Sequence, residues 1–426
     1  PTTVTLENSM SYRPRVADAE LIDRLQASGA IVIEGPKACG KTETARQAAA
    51  SEVLLDVDEN ARAAVAVDPN LVLDGPTPRL IDEWQIEPRI WNHVRRLVDD
   101  RGRPGQFILA GSAAPADDAT RHTGAGRFGR LRMRPMSLFE SGVSNGAVSL
   151  AGLFAGEATQ SSDPGLAVPD LAEEITRGGW PGLRGLSATQ AGQRVSDYLD
   201  EIRRTDINSV DGVRRDPERV GRLLRSLARN VATHVAASTL AADTDGADGP
   251  LKSHTVGDYL AALSRLFIVE DQPAWAPHLR SRYTLRRAAK RHFVDPSLAV
   301  AALRASPAKL LADLNLFGLL FESLVVRDLR IYAQLAGGRV LQYRDSDDLE
   351  IDAIVEIDGG GWAAFEIKLG GEGPIEEGAA SLTTFSKRID TSKAGKPAVL
   401  GVIVGSGYGY VREDGIHVIP VGALCP

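Results

Sequence analysis

Short apolar runs alternate with segments of helical periodicity over the first 112 residues. The apolar runs cover 30–33, 53–56, 79–83 and 106–112, and helical patterns cover 17–28, 43–50 and 90–98. In the first helical pattern, Leu21, Ile22 and Leu25 share one face. Strands that alternate with helices predict a parallel sheet with helices on both of its faces.

The pattern changes after position 155. Residues 156–169 are polar and rich in Gly, Ser and Pro, which predicts a linker. Residues 170–240 are mostly helical, and an apolar stripe over 255–267 precedes a strand-like run, the order of a winged-helix unit. A long helix over 310–335 is followed by strand patterns at 340–344, 351–357 and 362–369. We therefore predict three units, 1–155, 170–305 and 306–426, the last being α/β.

Composition narrows the class of protein. The 426 residues are 43% hydrophobic and 25% charged, as in globular proteins, and no apolar run of about 18 residues predicts a membrane span. The first residues lack the pattern of a secretory leader, and two cysteines are too few for a disulfide framework, so we expect a cytoplasmic protein. A net charge of −7 argues against a surface that coats nucleic acid, although basic runs at 121–134 and 280–291 leave local contacts open.

The segment 35–42 fits the phosphate-binding pattern G-x-x-x-x-G-K-[ST] without a mismatch. An apolar run precedes it and a helical run follows it, which is the strand–loop–helix context that the pattern needs. Backbone N–H groups of such a loop bind phosphate, Lys41 reaches the β- and γ-phosphates, and Thr42 binds Mg²⁺. The alternative is an ordinary glycine-rich turn. The predicted ligands are ATP and Mg²⁺, bound by Gly35, Pro36, Lys37, Ala38, Cys39, Gly40, Lys41 and Thr42.

Acidic residues end the third predicted strand. Asp82 is suited to hold Mg²⁺, and Glu83 is suited to activate the water that attacks the γ-phosphate. Ser112 ends the next strand and either contacts the phosphate or the water, or simply caps a turn. Arg127 and the neighbouring Arg130 could stabilise transition-state charge, in cis or from another subunit, and a surface role is the alternative for each.

A second group of charged residues lies near the C-terminus. Asp352 lies on one predicted strand, and Glu366 and Lys368 lie on the next with their side chains on the same face. Asp352 and Glu366 together can bind Mg²⁺, and Lys368 can polarise water or phosphate, as in metal-dependent nucleases. Glu322 on the preceding helix would add a carboxylate. The alternative is a hairpin whose charges face water.

The chain resembles bacterial and archaeal AAA-type ATPases that carry a C-terminal domain of unknown function. The matching segments are 35–42, 55–56, 80–85, 105–112, 126–127, 135–140, 178–181, 198–207, 316–324, Asp352 and Glu366-x-Lys368. The resemblance implies an AAA core, a winged-helix middle and a restriction-endonuclease-like end, with Ser112 as a sensor. Ala113 stands where a second serine is common. Some family members are suspected in toxin–antitoxin or defence loci.

Three functions remain open at this stage. The leading one is an Mg²⁺-dependent ATPase whose cycle controls a nucleic-acid-handling C-terminal domain, with DNA favoured over RNA and nuclease activity left open. The second is a nucleotide-gated switch without nuclease activity, read by a protein partner or by a homo-oligomer. The third, a small-molecule kinase, is disfavoured because adjacent Asp82 and Glu83 suit water activation. No membrane partner is expected.

Overall fold

A computed structural model describes residues 12–112, 124–246, 249–277 and 288–426. The N-terminal region contains a five-stranded sheet with the order β2-β3-β4-β1-β5, and every strand in it is parallel to its neighbours. Its strands are β1 (Ala30–Glu34), β2 (Ser51–Leu54), β3 (Arg79–Asp82), β4 (Phe107–Gly111) and β5 (Phe128–Arg132). The predicted parallel sheet is confirmed.

Alternation within β1 shows why both faces of this sheet are covered. Ile31 and Ile33 belong to one hydrophobic core, whereas Ala30 and Val32 belong to another on the opposite face. Residues 30–33 are buried on both faces of the sheet, and this accounts for their continuous apolar run. The flanking helices are α1 (Val16–Ala27), α2 (Lys41–Ala48), α3 (Glu59–Val67), α4 (Asn70–Leu73) and α5 (Ile90–Arg101), with a 3₁₀ turn at Trp84–Ile86.

The middle region is helical, as predicted. After β6 (Val148–Ser149), its helices are α6 (Leu150–Phe154), α7 (Val168–Arg177), α8 (Ala188–Glu201), α9 (Ile207–Ser209), α10 (Pro217–Arg229), α11 (Ala237–Ala242) and α12 (Ser253–Arg265), with a 3₁₀ turn at Pro181–Leu183 and a π-helical segment at Ile202–Asp206. After α12, antiparallel bridges join Val269 to Phe293 and Gln272 to Lys290. A further bridge joins Thr233 to Arg291. Residues 268–272 and 290–294 thus form a short ribbon, named here the middle ribbon.

The C-terminal region is built around a mixed sheet with the order β11-β12-β10-β9-β8-β7. Its strands are β7 (Arg339–Arg344), β8 (Glu350–Glu356), β9 (Trp362–Lys368), β10 (Leu400–Val404), β11 (Tyr410–Val411) and β12 (His417–Pro420), and the remaining elements are α13 (Pro296–Ala302), α14 (Pro307–Ala312), α15 (Leu314–Gln334), α16 (Glu372–Arg388), α17 (Thr391–Ala394), a 3₁₀ turn at Val421–Ala423 and β13 (Leu424–Cys425). The single helix predicted over 310–335 is wrong in one respect. Asp313 interrupts it, because its side chain caps α15 by accepting the N–H of Leu316.

The three regions share one hydrophobic core. Leu21, Leu171, Phe317 and Leu424 all belong to it, and α15 is buried along most of its length. A two-stranded ladder also pairs β13 with β6. The predicted boundaries at 155 and 306 stay predictions, since packing does not separate these regions. In the described part of the chain, no helix is both long and apolar enough to cross a membrane.

Candidate functional site

The segment 35–40 forms a loop between β1 and α2. Gly40 is the residue before the helix and has φ of 106°, a left-handed conformation that glycine adopts without strain. Gly35 is required for a different reason, because a Cβ there would lie 2.4 Å from the carbonyl oxygen of Met133. The loop is therefore shaped by two glycines, and it leads directly into the amino end of a helix, where backbone N–H groups attract anions.

Lys41 and Thr42 are the first two residues of α2. The Lys41 ammonium donates to the carbonyl oxygens of Gly35 at 2.9 Å and Pro36 at 2.8 Å. An ammonium has three N–H donors, so one remains for a further acceptor. The Thr42 hydroxyl donates to the Asp82 carboxylate, with its two oxygens 3.0 and 3.1 Å away. The structure thus joins Thr42 and Asp82, which lie 40 positions apart.

Asp82 lies at the carboxyl end of β3 and is buried. Burial raises the pKa of Asp82 to about 6, Glu83 adds to the shift, and the Thr42 hydrogen bond works against it. A divalent cation would offset the burial of this carboxylate, and a hydroxyl beside a carboxylate is a suitable donor set for Mg²⁺. Thr42 and Asp82 therefore fit the metal predicted for this site.

Glu83 and Ser112 lie close together, as the order of the strands requires. Strand β4 lies between β1 and β3, so that Ser112 emerges between the phosphate loop and Asp82. Its hydroxyl donates to the Glu83 carboxylate at 3.0 and 3.2 Å. Glu83 also accepts a hydrogen bond from Gln85, and its φ of 49° is unusual for a residue that is not glycine. Strained backbone of this kind is common at functional sites.

The remaining loop residues are held by other regions of the chain. Lys37 forms an ion pair with Asp206 of the middle region at 2.6 Å. Ala38 has φ of 61°, and Cys39 is fully buried. The carbonyl oxygen of Cys39 accepts a hydrogen bond from Arg15 at 2.8 Å. Neither Asp206 nor Arg15 was expected from the sequence, because no local pattern connects them to the loop.

Arg127 does not reach the phosphate loop of its own chain, which disfavours the alternative of a role in cis. Phe128 is in register with Ala30, at the amino end of β1, whereas the loop follows the carboxyl end. Four strand residues separate the two ends, roughly 13 Å. Arg127 instead pairs with Asp99 at 2.9 Å. The alternative, Arg130, is exposed on edge strand β5 and pairs with Glu34. Because β5 is parallel to β1, it begins at the sheet edge opposite to the phosphate loop that follows β1. Arg127 directly precedes β5 and therefore lies away from that loop.

The predicted C-terminal residues come together between β8 and β9. Lys368 lies 2.7 Å from a Glu366 oxygen and 3.9 Å from an Asp352 oxygen. The ladder between β8 and β9 ends at the pair Ala353 and Phe365, and the Asp352 carboxylate then accepts the N–H of Ile367 at 2.9 Å. Both carboxylates are largely buried, so the alternative of a hairpin with all its charges in water is excluded for Asp352 and Glu366.

Two further residues complete this group, and the sequence did not single them out for it. Lys290 from the middle ribbon places its ammonium 2.7 Å from Glu322, 2.6 Å from Glu350 and 3.4 Å from Asp352. We name the set Glu322, Glu350, Asp352 and Glu366 the carboxylate cluster. Glu350 could have been recognised, because it shares a strand face with Asp352. Lys290 could not, because it lies 62 positions before Asp352 and was counted only within a basic run.

The electrostatics of the cluster reflect four carboxylates beside two ammonium groups. Burial raises the pKa of Glu322 to about 8 and that of Glu366 to about 8, and the charge of Asp352 adds to both shifts. Burial alone would lower the pKa of Lys290, but the surrounding carboxylates raise it above its usual range. The same balance raises the pKa of Lys368. Both lysines are therefore fixed cations.

The donor set of the cluster does not fit a divalent metal ion in this conformation. Carboxylate oxygens bind such ions at about 2.0–2.6 Å, and the Lys290 ammonium already lies at hydrogen-bonding distance from oxygens of Glu322 and Glu350. Among the residues that the structure describes, no group of three or more His, Cys, Asp or Glu side chains is arranged to hold a metal ion. The metal predicted for Asp352 and Glu366 is therefore not supported while Lys290 occupies the cluster.

Three families match successive parts of the chain. Residues 27–141 match the family described as AAA domain. Residues 168–309 match a domain of unknown function, DUF8612, and residues 317–424 match another domain of unknown function, DUF4143. The first match contains the phosphate loop, Asp82, Glu83 and Ser112. The last contains all four members of the carboxylate cluster, whereas Lys290 falls in the second.

Two curated mycobacterial proteins are similar to most of the chain. They are the uncharacterized protein Rv2008c of Mycobacterium tuberculosis and the uncharacterized protein Mb2031c of Mycobacterium bovis. Each is 26% identical over 363 residues, which are 84% of this chain and 74% of the relative. Among solved structures, the Walker-type ATPase paby2304 of Pyrococcus abyssi matches with a TM-score of 0.41 and 12% identity, over 67% of this chain and 94% of that one. The chain thus carries a region similar to AAA domains at 27–141 and a region similar to DUF4143, a domain of unknown function, at 317–424.

Proposed function

We propose that the phosphate loop hydrolyses ATP with Mg²⁺ and that the nucleotide cycle controls a C-terminal region that handles nucleic acid. The observation that carries the proposal is the pair of contacts from Thr42 to Asp82 and from Ser112 to Glu83. They bring a metal-binding pair and a water-activating pair to adjacent strand ends. This is the arrangement that transfer of a γ-phosphate to water requires.

Each side chain has a separate role in this proposal. The loop N–H groups and the Lys41 ammonium hold the phosphates, and Thr42 with Asp82 would hold Mg²⁺, which when bound neutralises phosphate charge. Glu83 orients the attacking water and accepts its proton. Ser112 keeps the Glu83 carboxylate in place through its hydrogen bond. A rigidly held base needs little reorganisation during the reaction, which favours catalysis.

Measurements of ATP binding and of ATP turnover in variants distinguish these roles. Lys41→Ala should abolish ATP binding, measured with a fluorescent ATP analogue. Glu83→Gln should retain binding and lose turnover by about a hundredfold or more, as expected for loss of a general base. Glu87→Gln is the matched control, because Glu87 lies on the same turn but pairs with Arg89. Equal turnover in Glu83→Gln and the control would overturn the assignment of Glu83.

A chain of polar contacts supports coupling of the loop to the middle ribbon. Arg15 donates to the carbonyl oxygens of Cys39 in the loop and Arg134, both at 2.8 Å. The Arg134 guanidinium then binds Glu270 of the ribbon at 2.6 and 2.9 Å. Burial would raise the pKa of Glu270, but Arg134 and Arg330 hold it well below its usual range. A shift of the loop would therefore displace a charged, buried contact of the ribbon.

Arg134→Ala tests this coupling. We expect it to retain ATP binding but to lose the change in hydrogen exchange that a non-hydrolysable ATP analogue causes in residues 268–277 and 288–294. Arg184→Ala is the matched control, because Arg184 is buried to the same extent but pairs with Glu174 and not with the middle ribbon. The same exchange response in both variants would contradict the coupling.

The order of elements in the middle region supports a nucleic-acid role. Helices α10, α11 and α12 are followed by the antiparallel middle ribbon, and Thr233, between α10 and α11, also pairs with it. This order is that of a winged helix. Of the predicted basic run 280–291, positions 280–287 lie outside the described residues, as do positions 121–123 of the other basic run. DNA is the favoured ligand, and a protein partner or a homo-oligomer stays a prediction.

A second function, a nucleotide-gated binding switch without nuclease activity, is favoured by the ammonium of Lys290 within the carboxylate cluster. Incubation with labelled single-stranded, duplex and branched DNA and Mg²⁺ or Mn²⁺ discriminates the two. Cleavage that Glu366→Ala abolishes favours the nuclease. Tight binding without cleavage favours the switch.

A further inference from the structure

A cleft lies where the N-terminal region, the middle ribbon and the C-terminal region meet. Its volume is about 860 Å³, and residues of β5, the middle ribbon, α15 and β7 line it. We name it the arginine cleft, because Arg132, Arg134 and Arg330 lie on its walls. Of the described residues that line it, none belongs to the phosphate loop 35–42. Its volume is within the range of sites that bind small ligands.

Three guanidinium groups of the arginine cleft share one carboxylate. Arg134 binds Glu270 at 2.6 Å, and Arg330 lies 3.6 Å from the same carboxylate. Within the part of the chain that the structure describes, no carboxylate forms an ion pair with Arg132. Its guanidinium carbon instead lies 4.0 Å from the centre of the Phe267 ring. Three positive charges beside one negative charge leave an excess of +2 in the cleft.

Other charged residues of the cleft do not remove this excess, because each has a partner of its own. The pairs are Arg24 with Glu20, Arg130 with Glu34, Asp271 with Arg291, Arg339 with Glu356 and Lys393 with Asp390. Burial lowers the pKa of Arg330 to about 10, and the charges of Arg134 and Arg132 add to this shift. A bound anion would offset the repulsion among the three arginines.

Two buried N–H donors of the cleft have no acceptor among the described residues. They are Nε of Arg132 and the indole Nε1 of Trp275, a residue that is 2% exposed. The indole N–H of Trp362, whose ring packs against that of Trp275, donates to a backbone carbonyl oxygen at 2.9 Å. A buried donor without an acceptor is unfavourable. Oδ1 of Asp271 is a buried acceptor without a partner, which a hydroxyl next to the negative charge would satisfy.

We propose that the arginine cleft is a second binding site for phosphate groups, separate from the phosphate loop. Guanidinium groups bind phosphate through paired, charge-assisted hydrogen bonds, and an excess of +2 matches one doubly charged phosphate or two phosphodiesters. A nucleic acid strand and a small phosphate compound offer this same chemistry. The site goes beyond the proposed function because it needs no ATP, and only a strand as its ligand rests on that function.

The direct test measures pyrophosphate binding by isothermal titration calorimetry in the full-length Lys41→Ala chain, in which the phosphate loop does not compete. We expect Arg132→Met in this background to weaken pyrophosphate binding at least tenfold. Arg24→Met is the matched control, because it removes the same charge from the same cleft but from a residue paired with Glu20. Its affinity should stay within twofold. Equal affinities in Arg132→Met and Arg24→Met would overturn the proposal.

A second measurement covers the case in which Arg132→Met does not fold, because it uses the Lys41→Ala chain without a further substitution. Pyrophosphate should slow hydrogen exchange in residues 268–277, which line one wall of the cleft, and leave exchange in α10 unchanged. Exchange in residues 268–277 that does not respond to saturating pyrophosphate would contradict the site.

A labelled single-stranded DNA of about 20 nucleotides distinguishes the two sources of phosphate. Competition between this strand and pyrophosphate, weakened in Arg132→Met and retained in Arg24→Met, would identify a strand as the ligand. Pyrophosphate binding without competition supports the site with a small phosphate compound as its ligand, and counts against the strand alone. Absence of pyrophosphate binding overturns the site, whatever the strand does.

Discussion

The phosphate loop and the carboxylate cluster each place a lysine beside the carboxyl end of a strand, but their lysines have different partners. Lys41 binds two neutral carbonyl oxygens of its own loop. Lys290 binds three carboxylates that belong to another region. The first ammonium keeps its charge unneutralised for an anionic ligand. The second has its charge neutralised within the protein.

This difference indicates how each site responds to ligands. At the phosphate loop, Asp82 accepts neutral donors, the Thr42 hydroxyl and the Glu83 N–H, so a cation would add a favourable interaction. At the cluster, a cation has to replace an existing one. A motif alone does not distinguish these cases, because both contain the expected side chains. The origin of the counter-charge distinguishes them.

Removing each lysine should give the largest contrast in stability. Lys290→Met leaves Glu322, Glu350 and Asp352 without their shared cation, and we expect a loss of about 3–5 kcal/mol in the free energy of unfolding. Lys41→Met removes bonds to neutral carbonyls and should cost about 1 kcal/mol. Urea denaturation of both full-length variants without nucleotide measures the difference.

Lys368→Met is the control within the same cluster. Lys368 is more exposed than Lys290 and has one close carboxylate, so its loss should fall between the other two. Equal stability of Lys290→Met and wild type would contradict the comparison. It would mean that the carboxylates take up protons and do not need the ammonium.

Titration of the two sites should change the free energy of unfolding over different ranges of pH. The pKa of Glu322 and of Glu366 is raised to about 8 from 4.5, so the folded chain holds more protons than the unfolded chain between these values. Their stabilising effect is complete below pH 4.5 and is lost as the pH rises through 8. We expect the free energy of unfolding to fall by several kcal/mol between pH 5 and pH 8.5.

Substitutions at Glu366 and Asp82 show which group is responsible for each pH range. The pKa of Asp82 is raised to about 6 from 3.8, so its contribution is lost between about pH 4 and pH 6. Glu366→Gln should therefore flatten the upper part of the curve, and Asp82→Asn only the lower part. Urea midpoints at half-unit intervals of pH would measure both. An upper window unchanged in Glu366→Gln would contradict the assignment.

The smallest effect is expected at Arg127. It forms an exposed pair with Asp99, remote from both sites. Arg127→Ala should therefore leave the melting temperature unchanged, and the ATP turnover of the isolated chain should stay within twofold of wild type. Turnover measured over a hundredfold range of protein concentration is the relevant assay. A larger loss that appears only at high concentration would show that Arg127 acts on a neighbouring subunit.

The phosphate-loop site could be predicted because its parts follow local rules. The loop is one continuous motif, and Asp82 and Ser112 follow strands whose carboxyl ends share an edge. Asp352, Glu366 and Lys368 also follow from alternation along two adjacent strands. These predictions need only neighbouring elements in a known order.

The other residues of the two sites are brought there by packing between distant parts of the chain. The position of Lys290 is set by pairing of the middle ribbon with β7, which no periodicity in the sequence indicates. Arg15 reaches the loop from a segment that precedes the first helix, and Asp206 reaches it from the middle region. Arg127 directly precedes β5, and the direction of that strand, which periodicity does not indicate, puts it at the other edge of the sheet.

The ladder between β13 and β6 restricts how these regions can move. Leu424 pairs with Val148, and the Ser144 hydroxyl donates to the Leu424 carbonyl oxygen at 2.7 Å. The C-terminal sheet is therefore attached to the N-terminal region at its far sequence end as well as through α15. A body fixed at two points has few rigid-body degrees of freedom. Motion within the chain would then take the form of local shifts between packed elements and not of rotation of the whole C-terminal region.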